Sequence, residues 1–319
     1  MGFFSRAPRR DPEHAPRDPA FPYLSEDEGA LLRREVRAAL AEKGLEATLS
    51  ADLAVDASGR RYGLGNLAAV CHNDARGQAA WPGLIREHMA RVLRLMDGPS
   101  VVDTLPVAEL RRRLLPRVMP LDSIPDARGF GRAIPLAPGL VRVLALSLPE
   151  SAVALKDSLV ERVAERLGES PDDLTAVAEA NMASTPVEQH EVMGRGEGIR
   201  IDVLSGASIF TASRVLQLDT LARSLTGREL GPDGALVALP FSRLLAFHAI
   251  RDARMVESLN GLARVAAVRH ADSPGPVSPH VYWWRDGRLS QVTEVTGTQI
   301  RVVVGSELQR LLERLVAEK

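Results

Sequence analysis

Apolar residues recur along the chain at two spacings, and the alternation between them predicts its elements. Leu32, Val36, Ala39 and Leu40 share one helical face, opened by a Ser25/Glu28 capping box and ended by Gly44. Leu45 to Leu49 and Leu53 to Ala57 then alternate like half-buried strands and turn at Ser58-Gly59. From Pro82, the stripe Leu84, Ile85, His88, Met89, Val92, Leu95 and Met96 predicts a second helix up to Gly98. Residues 23–98 thus form an N-terminal α+β unit. Residues 1–22 carry prolines, arginines and aspartates without apolar periodicity, the composition of a disordered arm.

Residues 99–138 are broken by prolines and read as a connector that could pair edge strands, with a short helix over Val107 to Leu115. From 139 to 319 the pattern sharpens into a C-terminal α+β domain. Leu140 to Leu148 predicts a buried strand, Leu155 to Leu167 a helix, and Ser170-Pro171-Asp172-Asp173 the cap of another reaching Ser184. A hairpin around residues 194–198 follows, then helix over Ser208 to Leu225. Next come a strand at Leu236 to Leu239, helix over Ser242 to His270, a hairpin over His280 to Val295, a strand at Ile300 to Val304 and a last helix capped by Ser306. The fold class is α+β, layered helices on antiparallel sheets. The order predicts two similar β-α-α-β-β-α units over 139–228 and 234–319.

Four stretches carry a family resemblance: Val141 to Leu148, Glu179-Ala180-Asn181-Met182, Gly198 to Leu216 with its Ala-Ser-Arg-Val-Leu run, and Leu236 to Asp252. Their order over 139–252 resembles the YtpQ-like family of uncharacterised bacterial proteins. The resemblance implies a cytoplasmic α+β protein and brings no active site with it.

Composition narrows the partners. Basic and acidic residues nearly cancel to a formal charge of −1, so nothing draws the whole chain to nucleic acid. The only lysines are Lys43, Lys156 and Lys319, which makes arginine the default solvated cation. The single Cys71 cannot form an internal disulfide, no stretch reaches the roughly 20 apolar residues of a spanning helix, and the expected location is the cytoplasm. Phe3 and Phe4 beside Arg6, Arg9 and Arg10 could touch a membrane surface or a partner's groove.

Candidate chemistry is sparse. Cys71-His72-Asn73-Asp74 crowds a thiol, an imidazole and a carboxylate, yet adjacent side chains point apart, and a core cysteine before a polar loop is expected. The glycines at 194–198 lead into a strand, which fits a hairpin turn and not a phosphate loop. No two histidines fall at i, i+4. His88 is expected in the core, and His270, Asp272 and His280 merely bracket a Pro-rich loop. Ser213 and Arg214, read as opening a helix, could hold an anion. Trp283-Trp284 must put one indole on each face of a strand, and whichever is uncovered is a candidate partner contact.

No catalytic, cofactor-binding or metal-ligating residues are assigned. The expected function is a non-catalytic protein-binding or scaffold module whose partner is another protein, with Trp283, Trp284, Ser213 and Arg214 as interaction candidates. Two alternatives stay open: a hydrolase assembled from scattered residues such as Cys71, Asp252 and His248, and an anion- or nucleotide-binding protein.

Overall fold

The computed structural model describes residues 16–124, 127–149, 151–194, 200–297 and 299–317. The chain divides into two compact units. One ends at Gly98 and includes Asp272–Pro274, and the other takes Pro99–Ala271 and Gly275–Lys319.

In the smaller unit, α1 (Glu26–Ala41) starts at the expected capping box, Glu28 N–H donating to Ser25 Oγ and Ser25 N–H to the Glu28 carboxylate. A meander of β1 (Ala47–Leu49), β2 (Leu53–Asp56) and β3 (Arg61–Gly63) leads to α2 (Gly65–Asn73) and α3 (Trp81–Asp97). The buried stripe of α3 is Trp81, Ile85, Met89 and Leu93, while Leu95 and Met96, read above as part of it, are exposed. These side chains pack with Leu32, Val36, Leu64 and Leu67 into one core.

The disordered arm needs correction where it is described. Residues 1–15, with Phe3 and Phe4, lie outside the described residues, but Phe21 is only 3% exposed and joins the core. Asp18 anchors this segment by accepting from both Arg33 Nη groups (2.7 and 2.9 Å) and from the N–H of Ala20 and Phe21. One buried aromatic and one saturated carboxylate order a segment that has no periodicity to announce it.

The larger unit begins with α4 (Val101–Thr104) and α5 (Val107–Arg113), followed by β4 (Leu114–Pro120), β5 (Ile134–Ala137), β6 (Leu140–Leu148) and β7 (Ser151–Ala154). Residues 99–138 are therefore not a separate connector. β4 pairs β6 over its full length, at the edge of the order β4-β6-β5 with β7 also on β6. An edge position explains how a strand tolerates Pro116 and Pro120, since their missing donors fall on the unpaired side.

Helices α6 (Asp157–Leu167) and α7 (Asp173–Ser184) follow as expected. Then come β8 (Gln189–Met193), β9 (Ile201–Ser205), a 3-10 turn (Ala212–Gln217), α8 (Leu218–Thr226), β10 (Ala235–Ala238), β11 (Leu244–Ala249) and α9 (Met255–Asp272). The chain closes with β12 (Val281–Arg285), β13 (Arg288–Gln291), β14 (Thr293–Thr296), β15 (Gln299–Val302) and α10 (Ser306–Ala317). β8 and β9 pair as the expected hairpin, whose turn at 195–199 lies outside the described residues. Six strands form one antiparallel sheet in the order β13-β12-β10-β11-β9-β8, and both of its faces are covered. Val203, Leu236, Ala246 and Trp283 pack against α9 and α10 on one face. Leu204, Val237, Phe247 and Trp284 meet Val215, Leu218 and Leu221 on the other.

That sheet overturns two further expectations. β11 lies in a stretch read as helix, because a central strand buried on both sides shows no alternation, only the apolar run Leu244 to Phe247 before His248. The two proposed repeats also differ in strand order. β6 pairs β4, β5 and β7, away from the β8–β9 hairpin, whereas its counterpart β10 pairs β12 directly. Two helices, α6 and α7, also stand where the second half has α9 alone. The class is α+β with antiparallel sheets, without the internal repeat.

Candidate interaction edge

Neither tryptophan is available to a partner. Trp283 and Trp284 do face opposite sides of β12, but they are 4% and 5% exposed, each inside its own core. Trp283 Nε1 donates to the Asp233 carbonyl (2.8 Å), and the Arg285 guanidinium lies 4.4 Å from the Trp283 ring centroid.

Ser213 and Arg214 are equally committed. Ser213 is buried and its Oγ accepts from the Val118 N–H (2.9 Å), tying the 3-10 turn to β4. Arg214 Nη2 donates to the carbonyls of Thr185 (2.7 Å) and Pro186 (2.8 Å), just past the end of α7. Both lie inside the 3-10 turn, so they do not open a helix whose N–H groups could share an anion.

The hydrolase candidates are divided between the units, Cys71 in the smaller and His248 and Asp252 in the larger, where the last two interact electrostatically. Cys71 is buried in the core of the smaller unit, and burial, then Asp74, push its thiol up to about 12, the reverse of activation. In the larger unit His248 Nδ1 lies 2.7 Å from the Arg200 carbonyl, and burial pulls its pKa below the ordinary value. Asp252 is paired with Arg254, which holds its carboxyl low. His88 is half-buried, and Asp272 falls in the other unit from His270 and His280. Among the described residues no cluster of three or more His, Cys, Asp or Glu side chains could hold a metal ion.

A cavity of about 510 Å³ lies among β5, β6 and the starts of α6 and α7, lined in part by Phe130, Arg132, Arg142, Leu155, Asp157 and Asp172. Its charges cancel in place. Arg132 pairs with Asp172 (2.8 Å), Arg142 with Glu179 (2.7 Å), and Asp157 accepts from the N–H of Gly131 (2.7 Å) and Arg132 (3.1 Å).

The unsaturated backbone lies elsewhere. β14 and β15 form a two-stranded ribbon, with Thr293 opposite Val302 and Glu294 opposite Arg301. Its base is anchored by Thr293, whose buried Oγ1 accepts from Val281 N–H (2.8 Å), and by Val303 N–H donating to the Val292 carbonyl (2.9 Å). Backbone groups along an antiparallel strand alternate in direction. With Val303 and Arg301 directed at β14, the N–H and C=O of Ile300 and Val302 point to the free edge. All of β15 is exposed, Ile300 at 36% and Val302 at 41%. Arg301 pairs with Glu294 across the ribbon (2.5 Å). The sequence marked this stretch only as a strand, and the alternation of Ile300, Arg301 and Val302 gave no sign that both faces are exposed.

The fold and this edge define an α+β protein with antiparallel sheets and an exposed strand, and no described helix is long and apolar enough to cross a membrane. No family model, curated protein or solved structure matches the chain.

Proposed function

We propose that the chain is a non-catalytic binding module of the bacterial cytoplasm that engages another protein by accepting an extended segment as a further strand on β15. The free edge of the ribbon carries this reading, because outward N–H and C=O groups at Ile300 and Val302 offer main-chain hydrogen bonds while their side chains offer apolar contact. An edge of this kind invites pairing, and proteins usually blunt it with proline, lysine or a bulge. β15 has no proline or lysine, and its one cation is neutralised by Glu294. The likeness to the YtpQ-like family belongs to the same proposal and rests on the order of elements over 139–252.

A photo-crosslinking residue at Ile300, placed in the full chain in cells, tests it. A discrete protein adduct that disappears when Val302→Pro removes the outward N–H is the expected result. Adducts that persist unchanged in the proline variant, or none at all, would refute strand addition. An adduct of twice the chain's mass would make the partner a second copy.

A further inference from the structure

The face of β6 that carries Leu144 and Leu146 packs on Val160, Val163, Leu174 and Ala178 of α6 and α7. The same face continues to Arg142 and, across the pairing, to Ile134 of β5, and there the filling stops and the cavity of about 510 Å³ begins. Protein interiors hold few voids larger than a water molecule, and a space of this size falls in the range of small-molecule sites, about 300–1,000 Å³.

The charged side chains on its wall decide what it can take. Arg132 is held by Asp172, Arg142 by Glu179, and the Asp157 carboxylate by the N–H groups of Gly131 and Arg132. A carboxylate could reach either arginine only by displacing the acid already there, and an ammonium ion could reach an acid only by displacing its donor. A charged ligand would thus give up its hydration and gain no net ion pair. An uncharged one leaves every pair in place. Most of the remaining wall is apolar, with Phe130, Leu144, Leu155 and Val160 contributing. Thr175, in the first turns of α7, lines it as well, and no described residue engages its hydroxyl. A hydroxyl both donates and accepts, so it can meet an alcohol or a carbonyl without any charge being involved.

We propose that this cavity binds an uncharged small molecule with an apolar body and one hydroxyl or carbonyl oxygen, Leu144, Leu155 and Val160 receiving the body and Thr175 Oγ1 the oxygen. The paired charges act as a neutral rim that rejects ions. The site is independent of the ribbon edge and stands or falls separately.

Methyl-resolved NMR titration of the full chain with 1-adamantanol, and in parallel with adamantane-1-carboxylate and 1-adamantylammonium, tests the assignment, because the three share one body and differ only in charge. Adamantanol should give saturable shifts at Leu144, Leu155 and Val160, and each ion should bind at least about tenfold more weakly. Thr175→Val, nearly the same in shape, should weaken adamantanol about fivefold, as expected for the loss of one hydrogen bond. Ile134→Trp puts a larger side chain on the wall at a position already 44% exposed, and should abolish binding while melting with the parent chain. Should that variant melt lower, Thr175→Val alone decides. Absence of saturable shifts at the three methyl-bearing residues, an ion that binds as tightly as the alcohol, or equal affinity in the parent and Thr175→Val would overturn the proposal.

Discussion

In the smaller unit Asp18 takes both ends of the Arg33 guanidinium and two backbone N–H groups, and Asp56 is enclosed by Ser58, Arg60 and Tyr62. In the larger unit the Thr175 hydroxyl has no such company among the described residues, and the outer edge of β15 has no partner strand. The contrast separates two uses of polarity. Saturated groups hold a segment in place and have no bonding capacity left over, whereas unsaturated ones are costly in the free protein and gain most when a ligand arrives. The same criterion removes Ser213, Arg214 and the charges around the 510 Å³ cavity from consideration, because each already has its partner.

The largest effect is expected at a sealed position. Trp284 fills one covered face of the six-stranded sheet, so Trp284→Ala should cost about 3–5 kcal/mol in urea unfolding, the range for deleting a large buried aromatic. A loss under about 1 kcal/mol would show that this face is not closed and that the tryptophan could still serve a partner.

Asp18→Ala should come next, at about 2–3 kcal/mol, because it strands Arg33 while water still reaches that guanidinium. The Arg33 pairing holds the Asp18 carboxyl below its ordinary value in the folded chain. Its contribution is therefore complete above the unfolded carboxylate range, near pH 4, and is lost as pH falls through the lower folded value. Acid unfolding followed by circular dichroism should show the parent chain losing stability below about pH 4 and the variant losing less over that interval. Parallel acid curves for the two would mean that the Asp18–Arg33 pair contributes nothing to folding.

Periodicity made much of the fold legible. The capping box of α1, the helices α6 and α7, the β8–β9 pairing and the opposed indoles of β12 all follow from local spacing. What escaped has a common cause. β11 is buried on both faces and so lacks alternation, and β4 carries prolines that only an edge position excuses. Phe21 and Asp18 are ordered by a few long-range contacts that leave no periodic trace. The candidate sites were less legible than the fold. Thr175 looks like any solvated threonine on a helix, and only the packing of α6 and α7 on β6 puts it on the wall of a cavity. For Ser213, Arg214 and the tryptophans, residue type suggested availability, but availability depends on whether neighbours have already used the bonding groups.

The smallest effect on stability, and the most selective on binding, is expected at the ribbon. Val302 N–H points away from β14, so Val302→Pro deletes a donor that no intramolecular bond uses, and proline is tolerated on an edge strand. Its cost should stay within about 1 kcal/mol, while Arg301→Pro, one residue away, removes an inward donor facing Glu294 and should dismantle the ribbon. Amide hydrogen exchange distinguishes the two. In the free chain Arg301 and Val303 should be protected relative to Ile300 and Val302; Val302→Pro should preserve that pattern, and Arg301→Pro should abolish it. If Ile300 and Val302 exchange as slowly as their neighbours in the free chain, the edge is already occupied and cannot be the opening that the buried carboxylates of the smaller unit lack.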